Sequence, residues 1–249
     1  MKISKKLIII TLVMILTVFS VFCVYGAEDE RPTTFSGKIG DNANYSISVT
    51  YGTETISVGE ERDFAYMDVK ITGSGSTYDY GWDYTIKGNE DKFSPIVYAH
   101  RVVGDNVHQV KSTITVNGVT GLGDNLFKSM NIGNTDFLNG VKTIGKNTFA
   151  NCTFYNANDL SLPSSITSIG ESSFGGLELS TYNERNGLEV SHMLTIPSSI
   201  TEIPKYAFND IPFTSVDFPD TLTYIGYYAF EDSDLKGEIV LPDSIEKLD

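Results

Sequence analysis

One arrangement of apolar positions recurs five times along the chain. Apolar residues eight apart occur at Val119 and Phe127, Val141 and Phe149, Ile166 and Phe174, Ile200 and Phe208, and Leu222 and Phe230. A third apolar residue follows the first by three: Leu122, Ile144, Ile169, Ile203 and Ile225. The copies start 22, 25, 34 and 22 residues apart, with 23 more to a fragment at Ile245. Periods in the twenties predict a solenoid, in which no coil buries its apolar face without its neighbours. Between copies run LSLP from Leu160, LTIP from Leu194, VDFP from Val216 and IVLP from Ile239. Each reads as a short half-buried strand that proline ends, stacked on its equivalents in a parallel ladder. Gly145, Gly170 and Gly226 follow the third apolar position, where a residue without Cβ bends most easily, and Pro204 takes that place in the fourth copy. The five phenylalanines are expected to point inward as one column. The long interval after Phe174 carries an insertion that includes STYNERNG at 180–187, expected as a loop on one face.

Upstream, the alternation in YSISV and DVKITG predicts strands, and their position predicts a cap over the first coil. Residues 50–63 fit this pattern poorly and read as a divergent loop or a hairpin.

The order of a strand ending in an apolar-Pro pair, then I-T-x-I-G-x-x-A-F, resembles the BspA-like leucine-rich repeats of bacterial surface proteins. The copies at Ile200 and Leu222 match best, with Ala207 and Ala229 before the phenylalanine, whereas Leu126 and Thr148 depart from the pattern. FSGKIGDNANYSI from Phe35, VKITGSGSTYDY from Val69 and the Ser94-Pro95 pair are similar to the segment that precedes the repeats in that family. The resemblance implies a mainly β leucine-rich-repeat solenoid of short parallel strands with an irregular convex side and an N-terminal β-rich cap. It also implies a core position for Cys152. The expected organisation is a signal peptide at 1–27, the cap at 28–116 and the repeats at 117–249. Ile245 and Leu248 open a sixth coil, and the sequence reads as truncated at its C-terminus.

The first residues reinforce an exported destination. Lys2, Lys5 and Lys6 precede an apolar run at 7–24, then Gly26, Ala27 and an acidic stretch, the layout of a leader cleaved after Gly26 or Ala27. An uncleaved anchor is the other reading of so long a run, and a lipoprotein through Cys23 is opposed by the bulky Phe22 before it. Cleavage leaves a secreted or cell-surface chain with no membrane insertion. It also removes three lysines and no acids, so 18 − 3 = 15 basic residues face 32 acidic ones, a net charge of 15 − 32 = −17. Such a charge repels polyanions and makes nucleic acid and anionic membranes poor partners, while basic surfaces and neutral glycans remain open. With Cys23 gone, Cys152 stands alone and no intramolecular disulfide forms.

Candidate chemistry is sparse. His100, His108 and His192 have no metal-ligand spacing, and all three read as solvated or hydrogen-bonded residues, the first two on neighbouring strands. EDSD at 231–234 reads as a solvated turn rather than a calcium loop, GDN at Gly40, Gly104 and Gly123 as turns, and no nucleophile elbow occurs. YDYGWDY puts Tyr78, Tyr80, Trp82 and Tyr84 on one side of a strand, read as packing against the first coil in preference to a sugar platform. Neither an enzyme nor a cofactor is expected. The resemblance implies adhesion, by a module that binds a host or neighbouring-cell protein or glycan. The other reading is a non-catalytic repeat domain of a larger exported enzyme or cell-wall assembly. The candidate ligand-binding residues are Tyr224, Tyr227 and Tyr228, whose counterparts in the copy at Ile166 are Ser168, Glu171 and Ser172, together with Tyr182 in the inserted loop.

Overall fold

The structure, a computed structural model, describes residues 22–25, 31–56, 59–81, 93–105, 107–133, 135–155, 157, 159–180 and 191–249. The first half is a twisted sheet with one helix. Strand β1 (Phe22–Tyr25), inside the expected leader, lies antiparallel to β2 (Pro32–Lys38), and β2, β3 (Ala43–Thr55) and β4 (Glu61–Ser76) continue as antiparallel neighbours. Residues 50–63 are the hairpin that joins β3 to β4, with Thr55 opposite Glu61. The alternation in YSISV is literal: Tyr45, Ile47 and Val49 are buried while Ser46, Ser48 and Thr50 are exposed.

A helix that the strand pattern did not predict, α1 (Pro95–Gly104), carries the chain to β5 (Gln109–Leu122), which lies parallel to β4. Its start was nonetheless written in the sequence. Ser94 Oγ accepts from the N–H of Ile96 at 3.3 Å and of Val97 at 3.5 Å, and Pro95 occupies the first turn, where a missing donor costs nothing. Ile96, Ala99 and Val103 then turn one face onto the sheet. His100 therefore sits on a helix and His108 just ahead of β5, so the expected placement of both on neighbouring strands is corrected.

β5 passes without a break across residue 116, the expected boundary between cap and repeats. Its middle pairs with the first coil, Ser112 opposite Ile132, and its end pairs with the second copy of the phrase, Leu122 opposite Ile144. The segment after β4 completes the cover. Thr77 and Tyr80 donate their N–H groups to the carbonyls of Gly121 and Asp124 at 2.9 and 3.0 Å, and Tyr80 is buried. Residues 77–81 form no strand, so Tyr78 and Tyr80 do not share a strand face as expected, and Trp82 and Tyr84 lie outside the described residues.

The repeats build ladders at three places in the coil. Leu160–Ser161, Met193–Thr195 and Ser215–Asp217 form the expected ladder of the apolar-Pro segments. A second comes from the phrase itself: Thr143–Ile144 pairs with Ser168–Ile169, and Glu202–Ile203 with Tyr224–Ile225 and Lys247–Leu248. The third follows the phenylalanines, at Asn131–Ile132, Thr153–Tyr155 and Glu178–Ser180. IVLP departs from expectation. Residues 239–241 form no strand, and Ile239, Val240 and Leu241 are exposed beyond the ladder they were predicted to extend.

Between the second and third ladders the turn obeys a strict rule. Counting the first apolar residue as zero, positions six and ten adopt positive φ in every copy: Asn125 and Ser129, Asn147 and Asn151, Ser172 and Gly176, Tyr206 and Asp210, Tyr228 and Asp232. Positions six, eight and ten donate their N–H groups to the following coil. In the copy at Ile166 the bonds run from Ser172, Phe174 and Gly176 to the carbonyls of Lys205, Ala207 and Asn209, at 3.1, 3.0 and 2.9 Å. The intervening N–H groups of Ser173, Gly175 and Leu177 close local turns onto Gly170, Ser172 and Phe174 at 3.1–3.2 Å. Every donor of the segment is thereby satisfied, half within the coil and half across it.

The glycine after the third apolar residue serves closeness rather than bending. Neither Gly145 nor Gly170 has positive φ, and a Cβ on Gly170 would come within 2.5 Å of Gly145 C and Lys146 N of the preceding coil. Inward, Phe127, Phe149, Phe174, Phe208 and Phe230 stack as one column with successive centroids 5.5, 5.3, 5.4 and 5.5 Å apart. The first four are fully buried and Phe230 partly so. Cys152 packs beside them, its Sγ 3.0 Å from the Phe127 carbonyl oxygen, and burial pushes its thiol up to about 12.

Two substitutions test this packing. Phe208→Ala removes a ring stacked on both sides and is expected to cost about 3–5 kcal/mol in urea denaturation; a loss below about 1 kcal/mol would contradict the column. Ser173 holds a position that is alanine at Ala207 and Ala229, and its Oγ is buried with no partner, whereas Thr148 Oγ1 in the same position reaches the carbonyls of Gly123 and Gly145 at 2.9 Å. Ser173→Ala is therefore expected to stabilise the chain by about 1 kcal/mol, and the same denaturation experiment reads it.

Candidate functional site

Positions five and six of the phrase form two adjacent columns along the turn edge, exposed or half-buried except at Asn125, which is buried with its Nδ2 donating to the Tyr80 carbonyl at 2.6 Å. Position five reads Asp124, Lys146, Glu171, Lys205 and Tyr227, so charge alternates from coil to coil and ends in an aromatic ring. Lys146 Nζ meets Glu171 Oε2 at 2.8 Å, which raises the lysine and holds the Glu171 carboxyl below the usual range. Both side chains are about half exposed, so the pair orders the surface more than it stabilises the fold.

Position six reads Asn125, Asn147, Ser172, Tyr206 and Tyr228. Its positive φ suits asparagine, whereas a left-handed conformation costs a bulky L-residue about 1–2 kcal/mol. Tyr206 and Tyr228 nevertheless adopt φ of 57° and 56° in successive coils. Their rings stack with centroids 5.2 Å apart and planes 21° from parallel, an arrangement that returns about 0.5–1.5 kcal/mol. Tyr227 closes over Tyr228 at 3.8 Å and the two hydroxyls share a hydrogen bond at 3.0 Å, which holds the Tyr228 phenol up to about 12. The Lys205 ammonium lies 4.8 Å from the Tyr206 centroid. Tyr227 and Tyr228 remain 48% and 39% exposed, so the fold gains little by placing aromatic area there.

Of the four tyrosines singled out from the sequence, the structure brings Tyr227 and Tyr228 together. Tyr224 stands apart: its hydroxyl donates to Asp249 Oδ2 at 2.7 Å, and Lys247 Nζ lies 5.0 Å from its ring centroid. Tyr182 lies outside the described residues. Sequence reasoning missed Tyr206 and Lys205. Comparing only the copies at Leu222 and Ile166 hid them; reading position six down all five copies exposes Tyr206 as the partner of Tyr228.

A second concavity, of about 340 Å³, lies where residues 239–241 stand off the ladder. Its wall includes Val216, Phe218 and Ile239, with Asp217, Asp220 and Glu238 outnumbering Lys236. Among the described residues no group of three or more His, Cys, Asp and Glu side chains is placed to hold a metal ion, and no helix is long and apolar enough to cross a membrane. The histidines occupy separate elements. His192 is buried ahead of Met193–Thr195, His108 meets the Phe64 ring edge-on at 5.5 Å, and His100 has its Nε2 buried with no hydrogen-bond partner.

Burial lowers His100 to about 4. The unfolded chain protonates this imidazole near pH 6.5 and the folded chain does so only near 4, so stability falls as pH drops through that window and the loss is complete below it. His100→Gln is expected to remove about 3 kcal/mol of the difference between unfolding free energies at pH 7 and pH 4. Urea titrations of both proteins across this range check it, and identical pH profiles would refute it.

The BspA type leucine-rich repeat region, in six copies, matches residues 105–192 and 188–249, more than half of the chain. No curated protein and no solved structure matches it. Repeats of this kind form protein-interaction or surface modules, generally without catalytic activity, in proteins that are typically secreted or surface-displayed. In the coil opened by Ile245, Lys247–Leu248 joins the phrase ladder. With its repeated phrase, its stacked phenylalanines and its three parallel ladders, the chain belongs to the BspA-type leucine-rich-repeat family.

Proposed function

We propose that this chain is a secreted or cell-surface recognition module that binds a host or neighbouring-cell protein or glycan through its repeat surface and catalyses no reaction of its own. The export reading is supported by the leader-like layout of residues 1–27 and by the habit of the family. The division into that leader, a cap at 28–116 and a repeat array from 117 belongs to the same reading. A stacked array gives a partner an extended, rigid face whose outward residues vary without disturbing the core.

The observation that carries the reading is the exposed tyrosine group at the turn edge. Tyr227 and Tyr228, stacked on Tyr206, occupy positions where other coils place charged or small polar residues. Tyrosine provides a large contact area with a hydrogen-bonding tip and few rotatable bonds to immobilise. Tyr224 and Tyr182 belong to the same proposal as further candidate contacts.

Arrays of printed glycans and immobilised extracellular-matrix proteins, probed with the chain and with a variant carrying serine at 182, 224, 227 and 228, test it. Binding by the parent and a loss of at least tenfold in the variant, with unchanged circular dichroism, is the expected outcome. Equal binding by both would remove these tyrosines from the site.

A further inference from the structure

The tyrosine group at the turn edge discriminates between the two ligand classes. A sugar ring binds tyrosine by laying its C–H bonds on an open, electron-rich aromatic face. The faces of Tyr206 and Tyr228 are engaged here, which leaves only the outer face of Tyr227. Tyr206 is covered by the Lys205 ammonium at 4.8 Å and by the Tyr228 ring at 5.2 Å, and Tyr228 is met in turn by Tyr227 at 3.8 Å. A partner finds the electropositive ring edges and the hydroxyl tips. The Tyr227 and Tyr228 hydroxyls share one hydrogen bond, which uses one of their two hydrogens and leaves the other to donate outward.

Lys205 adds a charge requirement. Among the described residues it makes no close ion pair: its charge helps to hold the Glu171 carboxyl down, but that carboxylate is bonded to Lys146. An exposed ammonium held over one aromatic ring, next to further ring edges and a hydroxyl donor, is the inner half of a protein contact that wants a carboxylate at its rim. The chain as a whole carries −14, so a strongly acidic partner is repelled before it arrives, while one carboxylate within the contact meets Lys205 inside the screening distance of about 8–10 Å.

Resting on the recognition reading, we infer that the surface formed by Lys205, Tyr206, Tyr227 and Tyr228 docks a polypeptide, not a glycan. The partner presents an aspartate or glutamate to Lys205 and apolar side chains with backbone carbonyls to the ring edges and the Tyr227–Tyr228 hydroxyl pair, and is neutral or basic outside the contact.

The experiment selects a phage-displayed library of random 12-residue peptides on the full chain and probes a printed glycan array in parallel. The selected peptides are then tested against two variants, the double substitution Tyr206→Asn with Tyr228→Asn, and Lys205→Glu. Asparagine already occupies the same left-handed position in the first two coils, so the double variant is expected to fold. Lys205→Glu, on an exposed side chain, keeps the test decisive if it does not. Expected are peptides that combine an acidic residue with apolar neighbours and bind each variant at least tenfold more weakly, with unchanged circular dichroism. Glycans that bind the parent and are lost in the tyrosine variant would overturn the inference, as would peptides lacking acidic residues or binding both variants undiminished. In those cases the recognition reading survives. An absence of any ligand in either format would defeat both.

Discussion

Each coil must hand three backbone hydrogens to the next at fixed positions of its turn, and most of the architecture follows from that demand. The donors are at positions six, eight and ten, and at four successive junctions they meet the carbonyls at positions five, seven and nine of the following coil, as when Asn125, Phe127 and Ser129 reach Lys146, Thr148 and Ala150. Aiming alternate N–H groups one way while their neighbours close local turns requires left-handed residues at six and ten, and every copy supplies them. The same spacing sets the approach that only a glycine tolerates at Gly145 and Gly170, and it holds the phenylalanine rings at stacking distance. One coil in isolation would leave three donors and an aromatic face open, so stability belongs to the array rather than to its members.

The cap answers the same demand at the first coil. β5 is at once the last strand of the cap and a partner to two repeat ladders, and Tyr80 N–H takes the carbonyl of Asp124 as a preceding coil would. Cap and array therefore share backbone pairing and core, which favours a single cooperative unit over two independent ones.

The sequence was most legible where packing imposes a period. Val119 to Phe127 and its four echoes announced the solenoid, its register and its core, because burial forces apolar identity at fixed spacing. Backbone conformation left a fainter mark. Asn, Ser, Gly, Asp and Tyr all tolerate the left-handed turn positions, so no single residue type flags them. The glycines drew attention to bending, although their cost is paid in proximity to the coil before them. Helix α1 was missed because a run rich in Ile and Val suits either element, and only Ser94-Pro95 speaks for a helix. IVLP carried a strand pattern without strand pairing, a reminder that two or three residues pair only when a neighbour fixes them. At the candidate site, Tyr227 and Tyr228 stood out as departures from their copies; Tyr206 and Lys205 needed the columns to be read across coils, a relation that lies in stacking and not in local spacing.

The direction of these hydrogen bonds gives the array a polarity. On the turn edge every N–H that crosses between coils points toward the following coil, whereas on the phrase ladder Thr167, Thr223 and Glu246 donate back to the carbonyls of Lys142, Thr201 and Thr223. The two columns of peptide dipoles run in opposite senses, so they oppose rather than sum to the axial macrodipole of a helix. Any face between coils is instead divided, donors along one margin and acceptors along the other. A coil can join it in one orientation only, so the array grows with a fixed sense from its first coil to its last.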